Sequence, residues 1–313
     1  MSRRRDTRVV SDKSWTLDDI VAELATIRAS SQKRRYPGRS LPELPSRDAV
    51  VAIVAGLVAA LFPRHFGLPG LPADDVDLFV ADTLDQALRT LRQQVRRELL
   101  LLDADESPGQ SEVERRALEM VHDFAQDLPR IRALLDSDIR AAFDGDPAAK
   151  SLDEVVFCYP GVAAVIRHRI AHRLYLLGAP LLARIIAELA HAQTGIDIHP
   201  GAEIGESFFI DHGTGVVIGE TARLGRRVRL YQAVTLGAKR FEVDASGAIV
   251  KGGDRHPILE DDVVVYAGAT ILGRITIGRG SSIGGGVWLT KSVPPGSIIT
   301  QAKSESFDEG AGI

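Results

Sequence analysis

The chain has 313 residues and a mass of 33.8 kDa, with 45% hydrophobic and 26% charged residues. That composition excludes a disordered or collagen-like chain and leaves room for one large or two moderate domains. Thirty-eight lysines and arginines face 42 aspartates and glutamates, a formal charge of −4, so no global basic field recruits nucleic acid.

Along the first half the pattern is helical. The basic start Arg3-Arg4-Arg5 is not followed closely by an apolar stretch, so no secretory signal is expected. Breakers at Pro37-Gly38, Pro42, Pro45, Gly67 to Pro72, Pro108-Gly109, Asp144 to Pro147 and Pro160-Gly161 predict six or seven helices. The apolar run Ala49 to Phe62 is about fourteen residues, short of the ~20 a membrane span needs, and reads as a core helix. Ala87 to Leu102 and Val162 to Leu177 space apolar residues three and four apart, as amphipathic helices do. Ser111 and Glu114 predict a capping box. Arg92, Arg96 and Arg97 read as a solvated helix face, and His168, His172 and His191 as structural or surface residues. Cys158 is the single cysteine; it cannot form an internal disulfide, suits a reducing cytoplasmic setting, and is expected to be a small buried hydrophobe.

From Gly195 onward charge thins and a six-residue period appears. Ile198, Ile204, Ile210 and Val216 keep one phase. After a two-residue slip, Ile218, Leu224, Leu230 and Leu236 continue it; after an interruption, Leu259, Val265, Ile271, Ile277, Ile283 and Leu289 restore it. An α-helix has no use for a strict period of six. Three short strands per triangular coil do, each aliphatic residue pointing into the prism and stacking on the next coil. The predicted fold class is therefore α+β: a helical domain over 1–194, a parallel β-helix over 195–300 and a mobile tail over 301–313. The interruption at 238–256, with Lys239, Arg240, Glu242, Asp244 and Lys251, must leave the prism as a loop.

Such coils need aliphatic, small and turn residues, so three polar clusters stand out: Asp197-Ile198-His199-Pro200, Asp211-His212-Gly213-Thr214-Gly215, and Gly252-Gly253-Asp254-Arg255-His256-Pro257. DIHP, then DHGTGVVIGET, then VTLG, then GGDRHP, in that order, resemble the signature of the serine O-acetyltransferases, hexapeptide-repeat acyltransferases built on a left-handed parallel β-helix behind a helical domain. The resemblance is strongest over 151–300. It implies acetyl transfer from acetyl-CoA to L-serine, the first step of cysteine biosynthesis.

A serine hydroxyl needs a base to attack a thioester, and His212 is the imidazole placed for it. By resemblance Asp197 supports that ring as its carboxylate partner. Backbone amides of Tyr266-Ala267-Gly268-Ala269 could stabilise the oxyanion. A zwitterion calls for a cation at its carboxylate, Arg255 with His256 beside it, and an anion at its ammonium, Asp211 and, by resemblance, Asp153. By resemblance too, Gly237, Ala238, Ala267, Gly268 and Gly285 line the pantetheine arm and Lys291 receives phosphate. No metal is expected, and neither a P-loop nor a dinucleotide fingerprint occurs. His199 is expected to bond a neighbouring backbone group.

The resemblance further implies a trimer or dimer of trimers sharing sites between subunits, L-cysteine as a feedback inhibitor, and O-acetylserine sulfhydrylase as a partner that captures the carboxylate of Ile313. The loop from Ala238 to Gly253 is longer than the family's compact link, and the tail after Pro294-Pro295 lacks its small-residue segment. Three other readings compete: an acetyltransferase acting on sugars or antibiotics, a zinc-dependent carbonic anhydrase of the trimeric γ type, and a non-catalytic scaffold.

Overall fold

The computed structural model describes residues 17–38, 41–102, 109–240 and 243–301. Eight α-helices lie among them: α1 (Leu17–Arg35), α2 (Arg47–Leu61), α3 (Pro63–Phe66), α4 (Val76–Leu102), α5 (Gln110–Gly145), α6 (Leu152–Cys158), α7 (Pro160–Leu176) and α8 (Pro180–Thr194). The count exceeds the expected six or seven, the short α3 starting at Pro63, a residue suited to a first helical turn. Ser46 and Ser151 accept the Ala49 and Glu154 amides and so cap α2 and α6. The Ser111 capping box does not form. The Gly109 carbonyl takes the Glu112 and Val113 amides instead, so α5 begins at Gln110 and Ser111 falls inside its first turn. Cys158, expected to be buried, is exposed at the last position of α6.

The chain parts into two units, Met1–Glu43 and Leu44–Ile313. In the first, α1 exposes Leu17, Ile20, Val21, Leu24 and Ile27. In the second, the apolar run of α2 buries Val50, Ile53, Val54 and Leu57. Among the described residues no helix is long and apolar enough to cross a membrane. The change from helix to strand falls at Gly195, which ends α8 at φ 70°, yet the helices and the strands share one core. A buried ion pair joins the layers: Arg169 on α7 donates to Asp138 on α5 at 3.0 Å and to the Ile204 and Gly205 carbonyls at 2.5 and 2.6 Å.

Among the described residues fourteen short strands, all parallel, form the three faces of a left-handed β-helix. Face 1 stacks β1 (Asp197–Ile198), β4 (Val217–Ile218), β7 (Thr235–Gly237), β10 (Thr270–Leu272) and β13 (Trp288–Leu289). Face 2 stacks β2 (Glu203–Ile204), β5 (Arg223–Leu224), β8 (Ile258–Leu259) and β11 (Thr276–Ile277). Face 3 stacks β3 (Phe209–Ile210), β6 (Arg229–Leu230), β9 (Val264–Val265), β12 (Ser282–Ile283) and β14 (Ile298–Ile299). The period-six aliphatics line the interior: Ile198, Ile218, Leu236, Ile271 and Leu289 are in register down face 1. Full burial of such a side chain contributes about 1.5–3 kcal/mol.

The register step is 20 residues from β1 to β4 but 18 from β4 to β7. The two extra residues lie in the turn that carries Asp211 and His212. The interruption at 238–256 leaves between β7 and β8, where face 1 meets face 2; Asp244 caps its own tight turn there, beside a Val243–Ile249 bridge.

Candidate active site

At the corner where face 3 meets face 1, the extra residues force an unusual backbone. The Gly213 amide bonds back to the Asp211 carbonyl at 2.7 Å, and His212 between them adopts φ 59°. A left-handed conformation costs a residue with a Cβ roughly 1–2 kcal/mol. It lifts the imidazole to 71% exposure while Asp211 stays at 13%. Gly213 has to be glycine: at φ 86°, a Cβ would sit 2.5 Å from Ile196 Cδ1.

Around His212 the fold gathers charges from separate elements. Asp211 Oδ1 lies 3.9 Å from His212 Nε2, and Asp211 Oδ2 accepts from Arg229 Nη2 at 3.0 Å. Asp146, just past α5, accepts from the Tyr159 hydroxyl at 2.5 Å and the Ala148 amide at 2.8 Å. Those bonds, Tyr159 first, hold its carboxyl below the usual range, with smaller help from Arg229 and His212. Burial, then Asp146, pushes the Tyr159 phenol up. Sequence reasoning misses Asp146, which sits in the Asp144 to Pro147 breaker and looks there like no more than a helix stop. Asp153, the upstream carboxylate expected at the site, instead meets His65 of α3 at 2.8 Å in the helical layer.

The second cluster occupies the other edge of face 1, where it meets face 2. Arg255 Nη2 donates to Glu220 Oε2 at 2.5 Å, and the Tyr175 hydroxyl of α7 donates to Glu220 Oε1 at 3.1 Å. Burial would raise the Glu220 carboxyl, but these donors outweigh it and hold it low. Thr221 Oγ1 accepts the Arg255 and His256 amides at 3.0 and 3.2 Å. The Thr221 amide donates to His256 Nδ1 at 3.1 Å, which leaves the ring proton on Nε2. Burial foremost, then Arg255, lowers His256 to about 4, so the ring is neutral near pH 7. Gly219 makes room for it, since a Cβ there would lie 2.0 Å from His256 Cδ2. His199 bonds a local backbone group as expected, its Nδ1 accepting the Gly201 amide at 3.0 Å.

Asp197 does not reach His212 within the chain: no hydrogen bond or ion pair joins them among the described residues. Strand alternation puts Asp197 and His199 on the same outer side of face 1. The Asp197 carboxylate lies with Glu188 and His191, their ligand atoms within 4.8 Å of one another. That group contains one histidine, not the three of the carbonic anhydrase reading. The expected cofactor residues divide likewise. Ala267, Gly268 and Gly285 fall in turns on the His212 edge, Gly237, Ala238 and Lys291 on the Arg255 edge. Of the amides at 266–269, those of Tyr266, Gly268 and Ala269 are taken by carbonyls. Ala267 keeps an amide without an acceptor among the described residues. Ile313 lies outside the described residues.

A family model described as bacterial transferase hexapeptide (six repeats) matches residues 256–291. A protein of Synechococcus elongatus named "Serine acetyltransferase, plasmid" is 54% identical over 99% of this chain and 98% of its own length. A crystal structure of Entamoeba histolytica serine acetyltransferase 1 in complex with L-cysteine is similar at a TM-score of 0.70 and 34% identity, covering 90% of this chain and 97% of that one. A Neisseria gonorrhoeae serine acetyltransferase in complex with serine is similar at a TM-score of 0.51 and 28% identity, over 83% of this chain and 97% of that one.

Proposed function

The chain belongs to the serine acetyltransferases, and we propose that it moves the acetyl group of acetyl-CoA to the L-serine hydroxyl at a site shared by two copies. One copy supplies the His212 edge of face 1 and the next supplies the Arg255 edge. The observation that carries this reading is the split itself: the base and the carboxylate-binding arginine occupy opposite edges of one face, so a single prism does not close a site around a molecule as small as serine. A homo-oligomer, a trimer in its simplest form, joins the two edges.

His212 is the base. Exposed at its corner, it takes the serine hydroxyl proton as the oxygen attacks the thioester carbonyl, and returns it to the departing CoA thiolate. The Ala267 amide, on the same edge, is suited to the oxyanion. Asp146 and Asp211 face the ammonium, and Arg255 with the Nε2–H of His256 faces the carboxylate. Asp197, on the outer side of face 1 with Glu188 and His191, meets His212 of the adjoining copy rather than its own. The pantetheine arm runs between copies, with Gly237, Ala238 and Lys291 on one side and Ala267, Gly268 and Gly285 on the other.

L-cysteine carries the same ammonium and carboxylate and suits the same subsite as an inhibitor, consistent with the Entamoeba complex. The product, O-acetyl-L-serine, feeds cysteine biosynthesis. Family resemblance supports O-acetylserine sulfhydrylase as a partner that engages Ile313, and the lone thiol of Cys158 fits a cytoplasmic setting. The test is release of free thiol from acetyl-CoA with L-serine, set against a panel of sugars and aminoglycosides. Release with L-serine alone is expected; release only with a sugar would overturn the reading.

A further inference from the structure

Arg229 stands in the His212 cluster but takes no part in the proton transfer or in holding the substrate carboxylate. It projects from β6 directly below Phe209 of β3, the two being in register. Its guanidinium is stacked against both Phe209 and Tyr231, the carbon 4.9 and 4.7 Å from the two ring centroids. Such stacking fixes the plane and removes rotamer freedom. One end, Nη2, holds Asp211 at 3.0 Å. The other reaches the end of α5, where Nη1 would be 3.6 Å from a Cβ at Gly145 and where that Cβ would strike the Phe209 ring at 2.9 Å. Gly145 therefore lets Asp146 come down beside the same cation. Nε is buried without an acceptor among the described residues, an arrangement that costs about 1–3 kcal/mol and that a purely structural arginine would have little reason to keep.

Two carboxylates and one guanidinium leave a net negative charge beside His212. We propose that Arg229 is a positioning residue that occupies Asp211, leaves Asp146 as the principal seat of the substrate ammonium, and counters the two carboxylates beside the His212 base. This rests on the serine-acetylating reading of the site. Asp211 on its own turn and Asp146 after α5 are the carboxylates that act on His212, and around them stand Tyr159 before α7, Arg229 and Tyr231 on and after β6, and Tyr266 stacked on Tyr231; Glu154 of α6 acts on Tyr159. Arg229 is the cation among them. Removing it strengthens attraction for an ammonium and for a proton on the imidazole alike.

The experiment compares the full-length parent with Arg229→Gln, Arg229→Lys and Asp211→Asn by the pH dependence of kcat/KM for L-serine, each variant checked for folding by circular dichroism. Arg229→Gln is expected to lower KM for L-serine about threefold to tenfold on the alkaline plateau and to move the acidic limb upward by about half to one pH unit. Arg229→Lys keeps the charge and the parental limb. Asp211→Asn, which leaves Arg229 opposed by Asp146 alone, moves the limb downward and raises KM. Because Arg229 packs between two rings, Arg229→Gln could fail to fold; Asp211→Asn then decides the matter by its downward limb, with Arg229→Lys as the control that keeps the charge. A parent that does not acetylate L-serine defeats the functional reading. An active parent in which folded Arg229→Gln or Asp211→Asn keeps the parental limb and KM, or moves them in the sense opposite to that expected, overturns the role of Arg229 alone.

Discussion

Arg255 Nη2 and Glu220 Oε2 lie 2.5 Å apart, and the Tyr175 hydroxyl holds the second oxygen of Glu220. Glu220 thus aims the guanidinium while α7 aims Glu220. Glu220→Gln keeps the shape and removes the charge. A charge-assisted bond is worth about 1.5–3 kcal/mol, so KM for L-serine should rise roughly tenfold or more, with kcat changed little. Steady-state kinetics at saturating acetyl-CoA measure both; a fall in kcat at constant KM would contradict the assignment.

Gly219→Ala places a methyl where His256 now sits, 2.0 Å from Cδ2 and 2.1 Å from Nε2. The ring must move by about an ångström, a displacement that costs a positioned group about 100-fold in kcat/KM. Circular dichroism checks that the variant folds. Parental kinetics for this variant would show that His256 has no place at the substrate.

Much of the fold is legible without coordinates, and what is not has physical causes. The period-six aliphatics announce the prism because its interior accepts nothing else, and DHGTG betrays itself by breaking that period. Asp146 stays hidden because its importance depends on Tyr159, beyond α6, and on Gly145 opening space beside Phe209. Arg229 reads as an ordinary outward strand residue until Asp211 is seen one coil away. Glu220 and Tyr175 meet only because α7 packs on the prism. The place of Asp197 follows from alternation along β1, which sets it with His199 on the outer side of face 1, in the company of Glu188 and His191. Cys158 defies the expected burial because α6 is short enough to leave its last residue outside.

Burial lowers the titration of His168, His172, His199 and His256, and burial is the first cause in each case. Unfolded, these rings protonate near about 6.5. As pH falls below that value the unfolded chain takes up protons first, so stability complete above about 6.5 is lost progressively as the pH drops, for His256 down to about 4. The urea midpoint should therefore drop between pH 7 and pH 5. His168 has both ring nitrogens buried without partners among the described residues, so His168→Leu should stabilise the protein by about 1 kcal/mol at pH 7 and lose less at pH 5. A midpoint independent of pH in this window would contradict the burial argument.

Deleting Ile313 should abolish binding of O-acetylserine sulfhydrylase while leaving acetyl transfer at the parental rate. Calorimetric titration of the two purified enzymes, with and without the deletion, reads the binding directly. Equal affinity for the shortened chain would assign the contact elsewhere.

The shared site is tested most directly by mixing two inactive variants, His212→Ala and Arg255→Ala, refolding them together and measuring acetylation of L-serine. Each copy lacks one edge, so only a site with intact His212 from one copy and intact Arg255 from its neighbour can work. Random assembly of equal amounts in a ring of three should restore about a quarter of parental activity. Mixed assemblies confirmed by mass spectrometry yet devoid of activity would mean that each copy closes its own site, and would contradict catalysis across the subunit boundary.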